Sequence, residues 1–271
     1  MYIPLPVGTL RLPCGFFVPQ RSPIFTGANH QPMKQILILG ANSDVAKQAA
    51  RLYYASGAGI TLASRSIDEL ASFSTREGFD PQRVHVVFFD AEAFTTHAGF
   101  YRSLPHKPST VLYAAGFQVE NDRALVDWDS TYRMMNVLYA GAVSILNIIA
   151  MDPSNTRLER IIGLSSLSGV RGRKSNFIYG STKSAFTQYL AGLRQYLQPR
   201  KIVVNVVVAG YIRSKMTAHL SLPESLLLEP AFVAQKVVHA GSGFSIVPGF
   251  KWKIIYQILK RLPERLVAKL P

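Results

Sequence analysis

Between Gln35 and Val208, short apolar runs alternate with segments whose apolar residues recur every three or four positions, and this alternation constrains the fold more than any other feature. Gln35 to Leu39 (QILIL) has the continuous apolar character of a strand buried on both faces. From Val45 to Ser56 the period is helical, with Val45, Ala49, Leu52 and Tyr53 on one side and Gly57 and Gly59 closing the segment. Gly59 to Ala63 predicts the next strand, ending at Ser64-Arg65. Further strands are expected at Val84 to Phe89, Thr110 to Ala114, Arg160 to Leu164 and Ile202 to Val208, with a short last one at Phe244 to Val247. The intervals include helices at Trp128 to Ala150 and Phe177 to Leu197. Strands alternating with helices predict a parallel sheet covered by helices on both faces.

A chain of 271 residues, 48% apolar, supplies one full core and is short for two ordinary domains. The expected organisation is an irregular arm at 1–33, one α/β domain at 34–248 and a basic amphipathic helix at 249–271. The arm carries Pro4, Pro6, Pro13, Pro19, Pro23 and Pro32, which interrupt the apolar core that a secretory leader needs. Translation starting at Met33 would remove the arm, so Met1 and Met33 both stand as starts. The single Cys14 excludes an internal disulfide scaffold and fits a reducing compartment. No run reaches the roughly 18 to 20 uninterrupted apolar residues of a membrane span. The formal charge of +14 draws the protein toward anionic partners. Nucleic acid is not expected among them, because no recognition motif or platform of interleaved aromatic and basic residues is present.

Gly40-Ala41-Asn42-Ser43-Asp44-Val45-Ala46 joins the first strand to the first helix, where free helix N–H groups can receive a pyrophosphate. Gly40 permits the tight turn and Ala46 lets helix and strand approach, although an ordinary turn capped by Ser43 or Asp44 would read the same way. Arg65 follows the second strand, where the adenosine ribose of a dinucleotide is met. An arginine there can pair with the 2′-phosphate of NADP, whereas an acid would bind free ribose hydroxyls, although an arginine that simply faces solvent would read the same way. Asp90, after the third strand, can accept from the adenine amine or cap the following segment.

Ser165-Ser166-Leu167-Ser168-Gly169 is followed by Tyr179-Gly180-Ser181-Thr182-Lys183, and tyrosine and lysine four apart share a helix face. An adjacent ammonium stabilises tyrosinate and eases proton movement at neutral pH. With these motifs in order, and with Tyr113-Ala114-Ala115-Gly116, Asn136 and Ala209-Gly210 through Ile212 to Ser214, the chain resembles the short-chain dehydrogenase/reductase family of the classical type from Lys34 to about Val247. The resemblance implies a Rossmann-type, doubly wound α/β fold and NADP-dependent transfer of hydride between the cofactor and a carbonyl or secondary alcohol. It implies Tyr179 as acid in reduction and base in oxidation, Ser166 as the hydroxyl orienting the reacting oxygen, Lys183 on the nicotinamide ribose, and Asn136 holding the water of a proton relay. Its cofactor residues would be Gly40, Asn42, Ser43, Asp44, Val45, Arg65, Asp90, Ala115, Gly116, Gly210, Ile212 and Ser214 beside Tyr179 and Lys183. It requires no metal and implies a homo-oligomer.

Three departures stand out. Asp44 and Ala46 replace the family's later glycines, bringing an acid near the pyrophosphate. Tyr113-Ala114 replaces Asn-Asn, removing a polar contact. Ala209-Gly210 replaces Pro-Gly, leaving that backbone less restrained. A catalytically silent dinucleotide-binding regulatory or structural protein is the alternative they raise.

After Pro248, residues Ile254, Ile255, Ile258, Leu259 and Leu262 recur on one helix side, and six basic residues face one acid, Glu264. Such a segment lies in an anionic membrane interface or packs on the parent domain or a partner. The first option implies a cytoplasmic protein held peripherally at the inner face of a membrane. The turn and tail together resemble the decaprenylphosphoryl-2-keto-ribose reductase subgroup, which implies a lipid-linked keto-sugar, with another amphiphilic ketone or a 3-ketoacyl compound as alternatives. Arg171, Arg173, Lys174, Arg213 and Lys215 flank the expected substrate opening, and Phe177 could wall it.

Overall fold

The computed structural model describes residues 33–218 and 220–269. The arm up to Pro32, including Cys14, lies outside the described residues, as do the last two positions of the tail. The chain runs β1 (Gln35–Leu39), α1 (Asp44–Ala55), β2 (Gly59–Ser64), α2 (Ile67–Arg76), β3 (Val84–Phe88), α3 (His97–Arg102) and β4 (Thr110–Tyr113). It continues through α4 (Asn121–Val126), α5 (Trp128–Met135), α6 (Gly141–Met151), β5 (Arg160–Ser166) and α7 (Phe177–Leu197). It finishes with β6 (Val203–Ala209), α8 (Pro230–Val238), β7 (Ser245–Ile246), α9 (Phe250–Arg261) and α10 (Glu264–Val267).

The strands form one seven-stranded sheet in the order β3-β2-β1-β4-β5-β6-β7. Every pairing is parallel, with Ile38 opposite Leu62 on one side and Leu112 on the other. This is the helix-covered parallel sheet that the alternation predicts, in the α/β, doubly wound Rossmann-type order that the resemblance implies. Because side chains alternate across a strand, the sheet feeds two cores. Leu37, Leu39, Val111 and Ile161 pack with α6 and α7 residues such as Ile145 and Phe186 on one face. Ile36, Ile38, Ile60 and Leu112 pack with Ala46, Ala49 and Val233 on the other. The chain order reverses between β1 and β4, which opens a crevice at the carboxyl ends of these strands.

The helix expected over Trp128 to Ala150 is interrupted. Asn136–Ala140 forms a π turn, with Gly141 N–H reaching back to the Asn136 carbonyl. Such one-turn expansions recur at functional sites. Trp128–Met151 as a whole is long and apolar enough to cross a membrane, yet Leu138, Ala142, Ile145, Leu146 and Ile149 are fully buried within the protein, as in a core helix.

In the tail, Trp252 and Leu259 join the same core cluster as β1, β4 and β6, so packing continues past Pro248. The five-residue stripe expected there is divided: Leu259 is buried, Ile255 is half-buried, and Ile254 and Ile258 point outward. The inward face is centred on Trp252, whose indole N–H donates to the Leu226 carbonyl at 2.9 Å.

Candidate active site

A cavity of about 940 Å³ runs along the crevice, at the upper end of the roughly 300–1,000 Å³ typical of ligand pockets. At one end lie Arg65 and Asp90, in the middle the β1–α1 turn with Ala115 and Gly116, and at the other end Ser166, Tyr179 and Lys183. Asn42, Ser43, Asp44, Val45, Gly210, Ile212 and Ser214 also line it. Asn136 does not; it is half-buried at the head of the π turn.

The turn after β1 takes its shape from Gly40, whose φ of 79° is a left-handed conformation. A β-carbon there would lie 2.2 Å from the Ala115 nitrogen, so β4 could not approach so closely beside any other residue. Neither Ser43 nor Asp44 caps α1 in the way the sequence allows. Ser43 makes no side-chain cap bond, and the Asp44 carboxylate accepts from the Lys215 N–H at 3.0 Å, across the cavity mouth. Asn42 donates to the Ser64 hydroxyl and the Ser66 carbonyl, both at 3.1 Å, while its buried Oδ1 finds no partner among the described residues. An acceptor left unmatched in a cavity wall fits a site that completes its hydrogen bonding with a ligand. Asp90 serves the turn after it as well as the cavity, accepting from the Glu92 N–H at 3.0 Å.

Tyr113, where a polar residue is usual, belongs to the core. Its ring is buried under α7, and its hydroxyl donates to the Val137 carbonyl at 2.5 Å, which ties β4 to the π turn. Gly210 is likewise more restrained than expected, because a β-carbon there would sit 2.1 Å from the Trp252 ring. The glycine is required by the tail helix, whose tryptophan closes the cavity beside it.

At the chemical end, α7 carries Tyr179 and Lys183 one turn apart, both buried. Ser166, the last residue of β5, lies beside the Tyr179 hydroxyl and accepts from the Ser168 N–H at 3.2 Å. Burial pushes the phenol up to about 12, with the Ser166 contact pulling the other way. Burial also lowers the Lys183 ammonium to about 8, and its Nζ donates to the Leu164 carbonyl at 2.9 Å. With its pKa pushed up to about 12, the Tyr179 hydroxyl is neutral at pH 7.

The expected basic rim separates into distinct roles. Arg173 and Lys215 line the cavity, whereas Arg171, Lys174, Arg213 and Phe177 do not. Arg171 is spent on the carbonyls of Leu259, Lys260 and Leu262 at the end of α9, and Arg213 pairs with Glu224 and Glu229. Arg173 donates to Ser168 Oγ at 3.2 Å, two residues after Ser166. Residues the sequence did not single out include Phe117, Arg133, Leu220, Leu222 and Trp252. Only a three-dimensional return of the tail could have revealed Trp252, although Gly210 was the sequence trace of it.

The sequence profile described as short chain dehydrogenase matches residues 34–225. An uncharacterised oxidoreductase of Mycobacterium tuberculosis is 26% identical over 242 residues, covering 87% of this chain and 96% of its own length. Among solved structures, a short-chain dehydrogenase from Burkholderia cenocepacia in complex with NADP matches with a TM-score of 0.76 at 18% identity, over 88% of this chain and 98% of the other. BdcA in complex with NADPH matches with a TM-score of 0.67, also at 18% identity, over 79% of this chain and 93% of its own. The ordered motifs, the sheet order and the profile match agree: this chain belongs to the short-chain dehydrogenase family.

Proposed function

We propose that the protein is an NADP(H)-dependent oxidoreductase acting on a carbonyl compound or the corresponding secondary alcohol. The observation that carries this reading is one cavity lined at one end by Ser166, Tyr179 and Lys183 and at the other by Arg65. The cofactor would lie along Asn42, Asp90, Ala115 and Gly116, its 2′-phosphate at Arg65, and when bound it supplies the hydride. Ser166 orients the reacting oxygen, and Tyr179 donates its proton to the oxygen as negative charge develops. Lys183, kept cationic below its lowered pKa of about 8, stabilises the tyrosinate left behind. Asn136, at the head of the π turn and outside the cavity lining, would hold the water through which the proton is restored.

The substrate class is read from the other wall. Phe117, Leu220, Leu222 and Trp252 supply apolar surface and Arg173 a cation, a combination that supports an amphiphilic ketone such as a lipid-linked keto-sugar. A 3-ketoacyl compound remains the comparison substrate. The outward face of the tail, with Phe250, Ile254, Ile258 and Leu266 exposed among lysines and arginines, supports contact with an anionic membrane surface from the cytoplasmic side. Exposed Trp128, Tyr132 and Tyr196 on α5 and α7 support a homo-oligomer that covers them.

Calorimetric titration tests the cofactor assignment. NADPH should bind more tightly than NADH, and Arg65→Ala should weaken NADPH by roughly 1.5 to 3 kcal/mol while leaving NADH nearly unchanged. Equal affinities of the wild-type protein for the two cofactors under the same salt would refute it.

A further inference from the structure

Arg65 is not alone at the adenosine end. Glu92, two residues beyond Asp90, accepts through a single oxygen from two guanidiniums: Arg65 Nη1 at 3.4 Å and Arg133 Nε at 2.9 Å. These arginines come from opposite walls, one following β2 and the other on α5, and both line the cavity. The Arg133 guanidinium also lies over the Phe117 ring, 5.8 Å from its centroid, which orients it along the cavity wall. All three side chains are partly solvent-exposed, at 42% for Arg65, 51% for Arg133 and 24% for Glu92, so the cluster can rearrange at little packing cost. Two arginines converging on one carboxylate oxygen form the donor set that a phosphate, with more oxygens and more charge, would engage more strongly.

We propose that Arg133 is a second binding residue for the adenosine 2′-phosphate, acting with Arg65, and that Glu92 is the resident counter-ion which the phosphate displaces. Glu92 keeps the two guanidiniums together over the pocket when no phosphate is present. When phosphate arrives, its carboxylate is a nearby like charge and opposes binding. The pair sets selectivity from both directions: Arg133 favours the phosphorylated cofactor, and Glu92 limits how tightly it is held. This inference rests on the assignment of Arg65 to the 2′-phosphate, and the test separates the two.

The test measures dissociation constants of the full-length protein for NADPH, NADH, adenosine 2′,5′-bisphosphate and 5′-AMP, in the wild type and in Arg65→Ala, Arg133→Ala and Glu92→Gln. Arg133→Ala should weaken NADPH and the bisphosphate by at least about tenfold, the loss of one charge-assisted contact, and change NADH and 5′-AMP by less than about twofold. Glu92→Gln should tighten NADPH and the bisphosphate severalfold and leave the unphosphorylated pair alone. NADH affinity reports whether each variant is folded. If Arg65→Ala discriminates between the cofactors and Arg133→Ala does not, the role of Arg133 is refuted while that of Arg65 stands. If neither discriminates, the phosphate is bound elsewhere and both assignments fall. If Glu92→Gln weakens NADPH, the carboxylate only positions the arginines and the counter-ion role is overturned.

Discussion

At the residue scale the site is a problem of two buried ionisable groups. Lys183 is held with its ammonium lowered to about 8 by burial, against an ordinary value of 10.5. A lysine whose folded pKa is depressed binds fewer protons when folded than when unfolded between those two values, so stability rises with pH through that window. The burial penalty is fully present below about pH 8 and is on the order of 3 kcal/mol. Chemical unfolding should therefore show Lys183→Met to be less destabilising, or stabilising, at pH 7 and comparatively worse at pH 10. A pH-independent difference between the two proteins would mean that the ammonium is not desolvated. The residue types of this site were legible in the sequence because tyrosine and lysine four apart must share a helix face, and the serine motif precedes them. Arg65 and Asp90 were legible for the same reason, since each closes a strand of recognisable length. Arg133 was not, because its relation to Arg65 depends on how α5 crosses the end of the sheet.

At the scale of elements, Gly210 and Trp252 form the most informative pair. Ala209 in place of a proline before Gly210 reads as lost restraint, but the restraint comes from a helix 40 residues further on, which periodicity cannot bring back to β6. A methyl group at Gly210 would collide with the indole, and removing the indole would leave a cavity. Trp252→Ala should cost about 3–5 kcal/mol in denaturant unfolding. Gly210→Ala should be clearly destabilising alone and nearly neutral when combined with Trp252→Ala, because the collision is then gone. Additive losses in the double variant would show that the two residues act independently. The π turn was hidden for a related reason: the apolar period of Trp128 to Ala150 continues through it, and the one-residue expansion appears only in the hydrogen bonding. Strand positions, by contrast, were readable to within a residue or two, since each central strand is buried on both faces and carries a largely apolar run.

At the scale of the whole molecule, α9 has one face in the core and another that is exposed, apolar and basic, and deleting it would remove both. Ending the chain at Pro248 removes Trp252 and Leu259 from the core and should lower the melting temperature, so membrane contact is better tested on the intact chain. Phe250→Ser, Ile254→Ser and Ile258→Ser together should reduce sedimentation with anionic vesicles while leaving the melting temperature within a few degrees. Raising the salt should weaken the wild-type binding, each lysine near the headgroups being worth about 1 kcal/mol. Unchanged sedimentation of the triple variant would remove this face from any attachment. The central claim, that the Ser166, Tyr179 and Lys183 cluster performs carbonyl chemistry with NADPH, is tested most directly by the rate of ketone-dependent NADPH consumption in wild type and Tyr179→Phe. The rates are compared across short water-soluble and long amphiphilic ketones at saturating cofactor. The account predicts turnover of at least one ketone by the wild type and a loss of at least about a hundredfold in the variant, with NADPH affinity retained. Near-normal turnover in the phenylalanine variant would contradict it.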